Sequence, residues 1–183
     1  MEPTRLSLKK MSFLSWGSLV VILFMVITAY AGEDEFWYSK ARTAARQGQK
    51  DFAFMQYRGI LIRYPGSKYT QEAMFANGEY YFFANQNTES YGFFEKYLES
   101  SSEPDKDIFV LAYLLRLAKM KKDEALSEDM KNRIISLHRQ SFIFEKSKEY
   151  QFSSPLNRQH KVVYDIEKIV FTIEGDPFET VFY

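Results

Sequence analysis

Uncharged residues run without a break from Met11 to Gly32, densest in Leu19-Val20-Val21-Ile22-Leu23-Phe24-Met25-Val26-Ile27. Arg5, Lys9 and Lys10 stand before this stretch, Ala29-Tyr30-Ala31 closes it, and the acidic Glu33-Asp34-Glu35 follows. Basic, then apolar, then small-x-small is the order of an export signal with a cleavage site. The stretch also approaches the roughly 20 residues that span hydrocarbon, so residues 1–31 read either as a cleaved signal peptide or as a retained N-terminal anchor. In both readings the basic flank stays on the cytoplasmic side and the body crosses the membrane.

Beyond Gly32 the pattern becomes periodic. Ala41 and Gly78 occupy matching points of two segments; twelve positions on from each come Ala53 and Ser90, and four further Tyr57 and Phe94. Pro65 and Pro104 then close the units. Two antiparallel helices approach closely only where small residues meet at the crossing, and an aromatic one turn away fills the adjacent hole. Proline lacks an amide donor and disfavours helix in the residue before it, so it stops the second helix and reorients the chain. Helical hairpins are therefore predicted from residue 33 onward, with Ser67 and Thr88 as caps of the helices that follow them. A further helix is expected from Asp105 to Lys122, with Asp105 and Asp107 at its positive end and Lys119, Lys121 and Lys122 at its negative end. Its centre, Ile108 to Leu117, is apolar nearly all round except at Arg116, which predicts burial between neighbours. Ser127 with Glu128 and Asp129 opens another helix carrying Met130, Ile134 and Leu137, and the helical body is read as 33–150.

After Pro155 branched and aromatic residues take over, in Val162-Val163-Tyr164, Ile169-Val170-Phe171-Thr172-Ile173 and Phe178 to Tyr183 around Glu174-Gly175-Asp176-Pro177. This predicts two strands and a turn, a β-hairpin-like tail over 151–183. Residues 161–169 stay ambiguous, because Val163, Ile166 and Val170 also suit a helix. A lone hairpin is marginal in water, so the tail must pack on the helical body or complete a partner's sheet.

Trp37, Ala41, Ala53, Tyr57 and Pro65, then Gly78, Tyr81, Ser90, Phe94 and Pro104, together resemble the tetratricopeptide repeat pattern, with Lys40 and Asn77 standing where that pattern has leucine. The run Tyr64-Pro65-Gly66-Ser67-Lys68-Tyr69, then Glu72-Ala73 and Gly78-Glu79-Tyr80-Tyr81, is similar to repeat proteins of the Gram-negative envelope: the BamD-like assembly lipoproteins and the periplasmic coordinators of the Tol system. The resemblance implies an all-α, tetratricopeptide-like array (an α-solenoid). It also implies a non-catalytic protein-protein interaction scaffold of a cell-envelope assembly, exported to the periplasm. The alternative is a single-pass, membrane-anchored structural subunit that oligomerises through its helical body.

Composition narrows the chemistry. Without residues 1–31 the chain carries 21 basic and 23 acidic side chains, interspersed, which provides no basic face for phosphate neutralisation; nucleic acid is not an expected partner. With no cysteine there can be no disulfide, thiolate metal site, cysteine nucleophile or lipid-bearing cysteine. His138 and His160 lack a histidine or carboxylate at metal-ligand helical spacing, and neither a G-x-S-x-G elbow nor a glycine-rich phosphate loop is present. No catalytic, cofactor-binding or metal-binding residue is assigned. Instead, 17 Phe and 13 Tyr make the chain rich in the side chains that supply most interface hot spots. Tyr38, Phe54, Tyr80 and Tyr91 are the candidate protein-binding residues, with other envelope proteins or peptides as partners and membrane contact through residues 11–31 if these are retained.

Overall fold

The computed structural model describes residues 32–101, 103–141 and 148–183, and both residues 1–31, read above as a signal peptide or anchor, and the His138 side chain lie outside the described residues. Six helices come first: α1 (Glu33–Arg46), α2 (Lys50–Arg63), α3 (Thr70–Phe83), α4 (Asn87–Ser100), α5 (Pro104–Lys121) and α6 (Glu124–Ser141). Four strands follow: β1 (Lys148–Ser153), β2 (Gln159–Tyr164), β3 (Lys168–Ile173) and β4 (Asp176–Phe182). The helices pack as successive neighbours, α1 on α2, α3 on α4 and α5 on α6, with α2 against α3 and α4 against α5 joining the pairs. Among the described residues no helix is long and apolar enough to cross a membrane.

Small residues do meet large ones at the crossings. Ala41, Ala53 and Tyr57 are fully buried between α1 and α2. In the next pair a β-carbon placed on Gly78 would come within 2.8 Å of the Phe94 ring, and the Ser90 hydroxyl donates to the Gly78 carbonyl at 2.9 Å. Phe94 cannot retreat, because it is stacked on Tyr113 of α5 with centroids 4.7 Å apart. Gly59 repeats the device, since a β-carbon there would lie 2.7 Å from the Trp37 ring. On α5 the residues Ile108 to Leu115, Leu117 and Ala118 are buried and only Arg116 among them faces solvent, as the all-round apolar pattern predicts.

The predicted caps need correction. Ser67 lies three residues before α3, where its hydroxyl accepts from the Tyr69 amide and donates to Asp34 at 2.6 Å, tying a turn to α1. Thr88 sits inside the first turn of α4. For α6 the capping oxygen belongs to Asp123, which accepts from the Leu126 amide at 3.0 Å, and Ser127 lies one turn in with its hydroxyl on the Asp123 carbonyl.

The all-α expectation with a two-stranded tail is also corrected. The C-terminal region is a four-stranded antiparallel meander in the order β1-β2-β3-β4. Its first strand, beginning at Lys148, has only Tyr150 and Phe152 as alternating apolar positions, too few to stand out in the sequence. Residues 159–164 are strand, not helix, and Ile166 projects into solvent from the β2–β3 turn. Between Ile173 and Asp176 the two-residue turn Glu174-Gly175 has φ of 55° and 87°, the left-handed pair that matches the twist of a tight hairpin. Pro177 falls on β4, an edge strand, where its missing donor costs no ladder bond.

The sheet packs on the helices of its own chain. Cross-strand neighbours Phe152, His160 and Ile173, then Val162 and Phe171, then Ile169 and Val181 line the covered face. Phe75 of α3 and Phe109 and Tyr113 of α5 meet that face edge-on or stacked, with ring centroids 5.0–6.3 Å apart. A second core gathers Ala41, Ala44, Ala45, Tyr57, Ile60, Ala73 and Ala76 from α1 to α3, and Leu156 of the β1–β2 turn plugs into it. The turn therefore joins the sheet to the first helical pair, and the Tyr57 hydroxyl donates to the Pro155 carbonyl at 3.3 Å.

Two chemically identical substitutions on the second pair should act oppositely. Gly78→Ala overpacks a ring that has nowhere to move and is expected to lower stability by about 1–2 kcal/mol. Gly92→Ala on α4, where a β-carbon meets nothing within 4 Å, should raise it by about 0.5–1 kcal/mol. Urea unfolding followed by circular dichroism measures both.

Candidate functional site

At the centre of the helix–sheet interface lies a polar cluster in apolar surroundings. Glu79 of α3 is fully buried, as is Tyr113 of α5, while His160 of β2 is 2% exposed and Ser154 of the β1–β2 turn 5%. Ser154 donates to Glu79 Oε2 at 2.7 Å, and the Tyr113 hydroxyl lies 3.1 Å from Glu79 Oε1 and 2.9 Å from His160 Nε2. His160 Nε2 is 3.2 Å from Glu79 Oε1, and His160 Nδ1 is 3.1 Å from the Arg158 carbonyl. That carbonyl only accepts, so Nδ1 carries a hydrogen. The Tyr113 hydroxyl thus lies within hydrogen-bond reach of both Nε2 and the carboxyl oxygen, joining the two. Burial first, and the neighbouring Glu79 carboxylate second, push the Tyr113 phenol well above its ordinary range, holding its proton in the network.

Serine, histidine and a carboxylate meet here, but not in the order that makes a nucleophile. The Ser154 proton points at Glu79, and both imidazole nitrogens are committed elsewhere, so the histidine does not face the hydroxyl as it does in a serine–histidine–carboxylate triad. What this arrangement does is hold the sheet at a fixed register on α3 and α5. Lys119 of α5 adds a tie at the rim, 2.7 Å from Glu179 of β4.

Ser154 also faces outward. With Phe75 and Phe152 it forms the inner wall of a cleft of about 340 Å³ between α1, α3, the α4–α5 junction and the β1–β2 turn. Tyr38, Arg42 and Arg46 come from α1, Gln71 and Glu72 from α3, Tyr97 from α4, Glu103 and Lys106 from the junction and α5. Two of the carboxylates are already engaged: Glu72 accepts the Tyr38 hydroxyl at 2.6 Å, and Glu103 pairs with Lys106 at 2.5 Å. Burial, with Glu72 adding to it and Arg42 opposing it, pushes the Tyr38 phenol up to about 12. Arg42 and Arg46, one helical turn apart on α1, form no ion pair among the described residues.

Two buried donors in the cleft are also unmatched. Tyr97 is 2% exposed, yet its hydroxyl has no hydrogen-bond partner among the described residues, and the same holds for the Gln71 amide nitrogen. Burial raises the Tyr97 phenol well above its usual range, and nearby Ser101, whose own proton goes to Asp107, pulls the other way. An unmatched buried donor costs about 1–3 kcal/mol, so the cleft carries a standing penalty that an acceptor would remove.

The four sequence candidates do not share one surface. Tyr38 lines this cleft, its ring stacked on Tyr69 with centroids 3.8 Å apart. Phe54 is buried and stacks on Tyr80 at 3.9 Å, joining α2 to α3, while the Tyr80 hydroxyl reaches Asp51 at 2.9 Å. Tyr91 lies apart in a shallower hollow with Leu98, Leu114, Met130 and Arg133, its hydroxyl on Glu95 at 2.7 Å. Arg42, Arg46, Gln71, Glu79, Tyr97 and Ser154 escaped the sequence reading. Two signals pointed toward them: a glutamate inside the otherwise small and aromatic run of α3, and two arginines at i and i+4 on α1.

Compared with known proteins, the chain matches no family model and no curated relative.

Removing the central acceptor should cost far more than removing one donor. Glu79→Ala strands Ser154, Tyr113 and His160 together and is expected to lower stability by about 3–5 kcal/mol. Ser154→Ala leaves one carboxylate oxygen short and should cost about 1–2 kcal/mol. Guanidinium unfolding of the two variants checks the ratio.

Proposed function

We propose that this chain is a non-catalytic protein-protein interaction scaffold of a bacterial cell-envelope assembly. In this reading it is a tetratricopeptide-like array exported to the periplasm, holding another protein or peptide against its helices. The repetition of one small-against-large lock in successive helix pairs supports the repeat reading, Ala41, Ala53 and Tyr57 corresponding to Gly78, Ser90 and Phe94. The observation that carries the binding role is the cleft beside the sheet. Its floor is apolar, its rim has two arginines without ion pairs among the described residues, and its buried donors lack acceptors, whereas the serine and histidine behind it are bonded to each other's surroundings.

A second reading has an observation of its own. Phe52, Met55 and Ile62 project from one side of α2, and Phe36 stands exposed in the first turns of α1, where the chain leaves residues 1–31. Exposed apolar side chains on the first helical pair, with the uncharged run Met11–Gly32 preceding them in the chain, favour an anchored structural subunit that oligomerises through this pair.

N-terminal sequencing of the exported protein, coupled to affinity capture from envelope extract after crosslinking, separates the two. The scaffold reading predicts a mature start at Gly32 and recovery of a different envelope protein. An intact Met11–Ala31 stretch with crosslinks only between copies of the chain would replace it with the anchored subunit.

A further inference from the structure

We infer that the cleft between α1, α3 and the β1–β2 turn binds an acidic peptide segment of the partner, an aspartate or glutamate side chain flanked by an apolar residue. The inference rests on the scaffold reading and names the chemistry its partner must carry.

Charge sets the polar half of the ligand. Arg42 and Arg46 lie at i and i+4, so both guanidinium groups reach the same side of α1, and each offers a planar fork that suits a carboxylate. The acidic groups at the cleft are already taken, Glu72 by Tyr38 and Glu103 by Lys106, so no carboxylate pairs with either arginine, and Arg42 lies over the Tyr38 ring, 5.7 Å from its centroid. Deeper in, the Tyr97 hydroxyl and the Gln71 amide nitrogen are buried donors with no acceptor among the described residues. All four groups donate. A ligand that satisfies them must bring acceptors, and a carboxylate brings the most acceptor capacity in the smallest volume.

Shape and the apolar wall set the other half. Phe75 and Phe152 form the floor beside Ala45, and a volume of about 340 Å³ holds a short run of side chains. Behind the floor, the bond from Ser154 to Glu79 fixes the β1–β2 turn, and Tyr57 holds Pro155, so the wall facing the ligand is set before binding. A single small anion would meet the arginines and leave the aromatic floor uncovered. A peptide side-chain pair, one acidic and one apolar, covers both.

The test is selection of a random heptapeptide library on the exported chain, followed by titration of the selected peptides by fluorescence anisotropy. Enriched sequences are expected to carry Asp or Glu next to an aromatic or aliphatic residue. Their affinity should fall at least tenfold on R42E/R46E, and by a similar factor when the peptide's acidic residue is replaced by its amide. The charge-matched R58E/R116E variant, altered at exposed sites on α2 and α5 away from the cleft lining, should bind as the parent does. Tyr97→Phe removes only the unmatched hydroxyl and should weaken binding severalfold while raising, not lowering, the unfolding midpoint of the free protein. Enriched peptides without acidic residues, binding indifferent to R42E/R46E, no enriched peptide at all, or succinate bound as tightly as the best peptide would each overturn the inference. If R42E/R46E still captures the same envelope partner as the parent, the cleft assignment falls and the scaffold reading stands; if the parent captures none, both fall.

Discussion

One carboxylate, that of Glu79, is fully buried on α3 where the sheet meets the helices. A buried charge is tolerated only when every lone pair finds a partner. Here the partners come from three other segments: Tyr113 from α5, Ser154 from the β1–β2 turn and His160 from β2. His160 could not reach Glu79 if β2 slipped by one residue, because a one-residue slip turns every strand side chain to the opposite face. Hydrophobic contact alone would hold the sheet against the helices in several registers. The polar cluster selects one of them.

The helical array supplies the surface on which that selection operates. Its pairs are locked by close approach, Gly78 against Phe94 and Gly59 against Trp37, and these contacts are tight enough to leave no room for an added methyl group. Phe94 in turn stacks on Tyr113, so the crossing of α3 and α4 positions the phenol that bonds to Glu79. α3 is shared by both cores, with Ala73 and Ala76 facing the first helical pair and Phe75 facing the sheet. The cleft forms where these two cores part, walled on one side by the fixed β1–β2 turn. Helix packing, sheet register and the shape of the cleft are thus steps of one chain of contacts.

Much of the helical body could be read from the sequence, because it rests on local periodicity. The recurrence of small residues before aromatics marked the crossings, and the all-round apolar run of α5 marked its burial. Caps were read less well: Ser67, Thr88 and Ser127 have the right chemistry at the wrong positions, since a shift of the helix start by two residues, or by four at Ser127, moves the orphan amides to another side chain. The sheet was half visible. β3 and β4 carry dense branched residues, whereas β1 has only Tyr150 and Phe152 and owes its existence to pairing with β2. Sites were the least legible part. Glu79 and His160 are 81 positions apart in the chain, and nothing local to either announces the other. The aromatic candidates fared according to context: Tyr38 reached the cleft, while Phe54 and Tyr80 found each other across two helices.

A double-mutant cycle between Glu79→Ala and His160→Ala, read from unfolding free energies, probes the register lock itself. If the carboxylate and the imidazole hold the sheet in place together, the two substitutions will be non-additive by about 2 kcal/mol. Additivity within about 0.5 kcal/mol would mean that apolar packing alone sets the register, and the account given for the sheet and for the cleft it walls would be wrong.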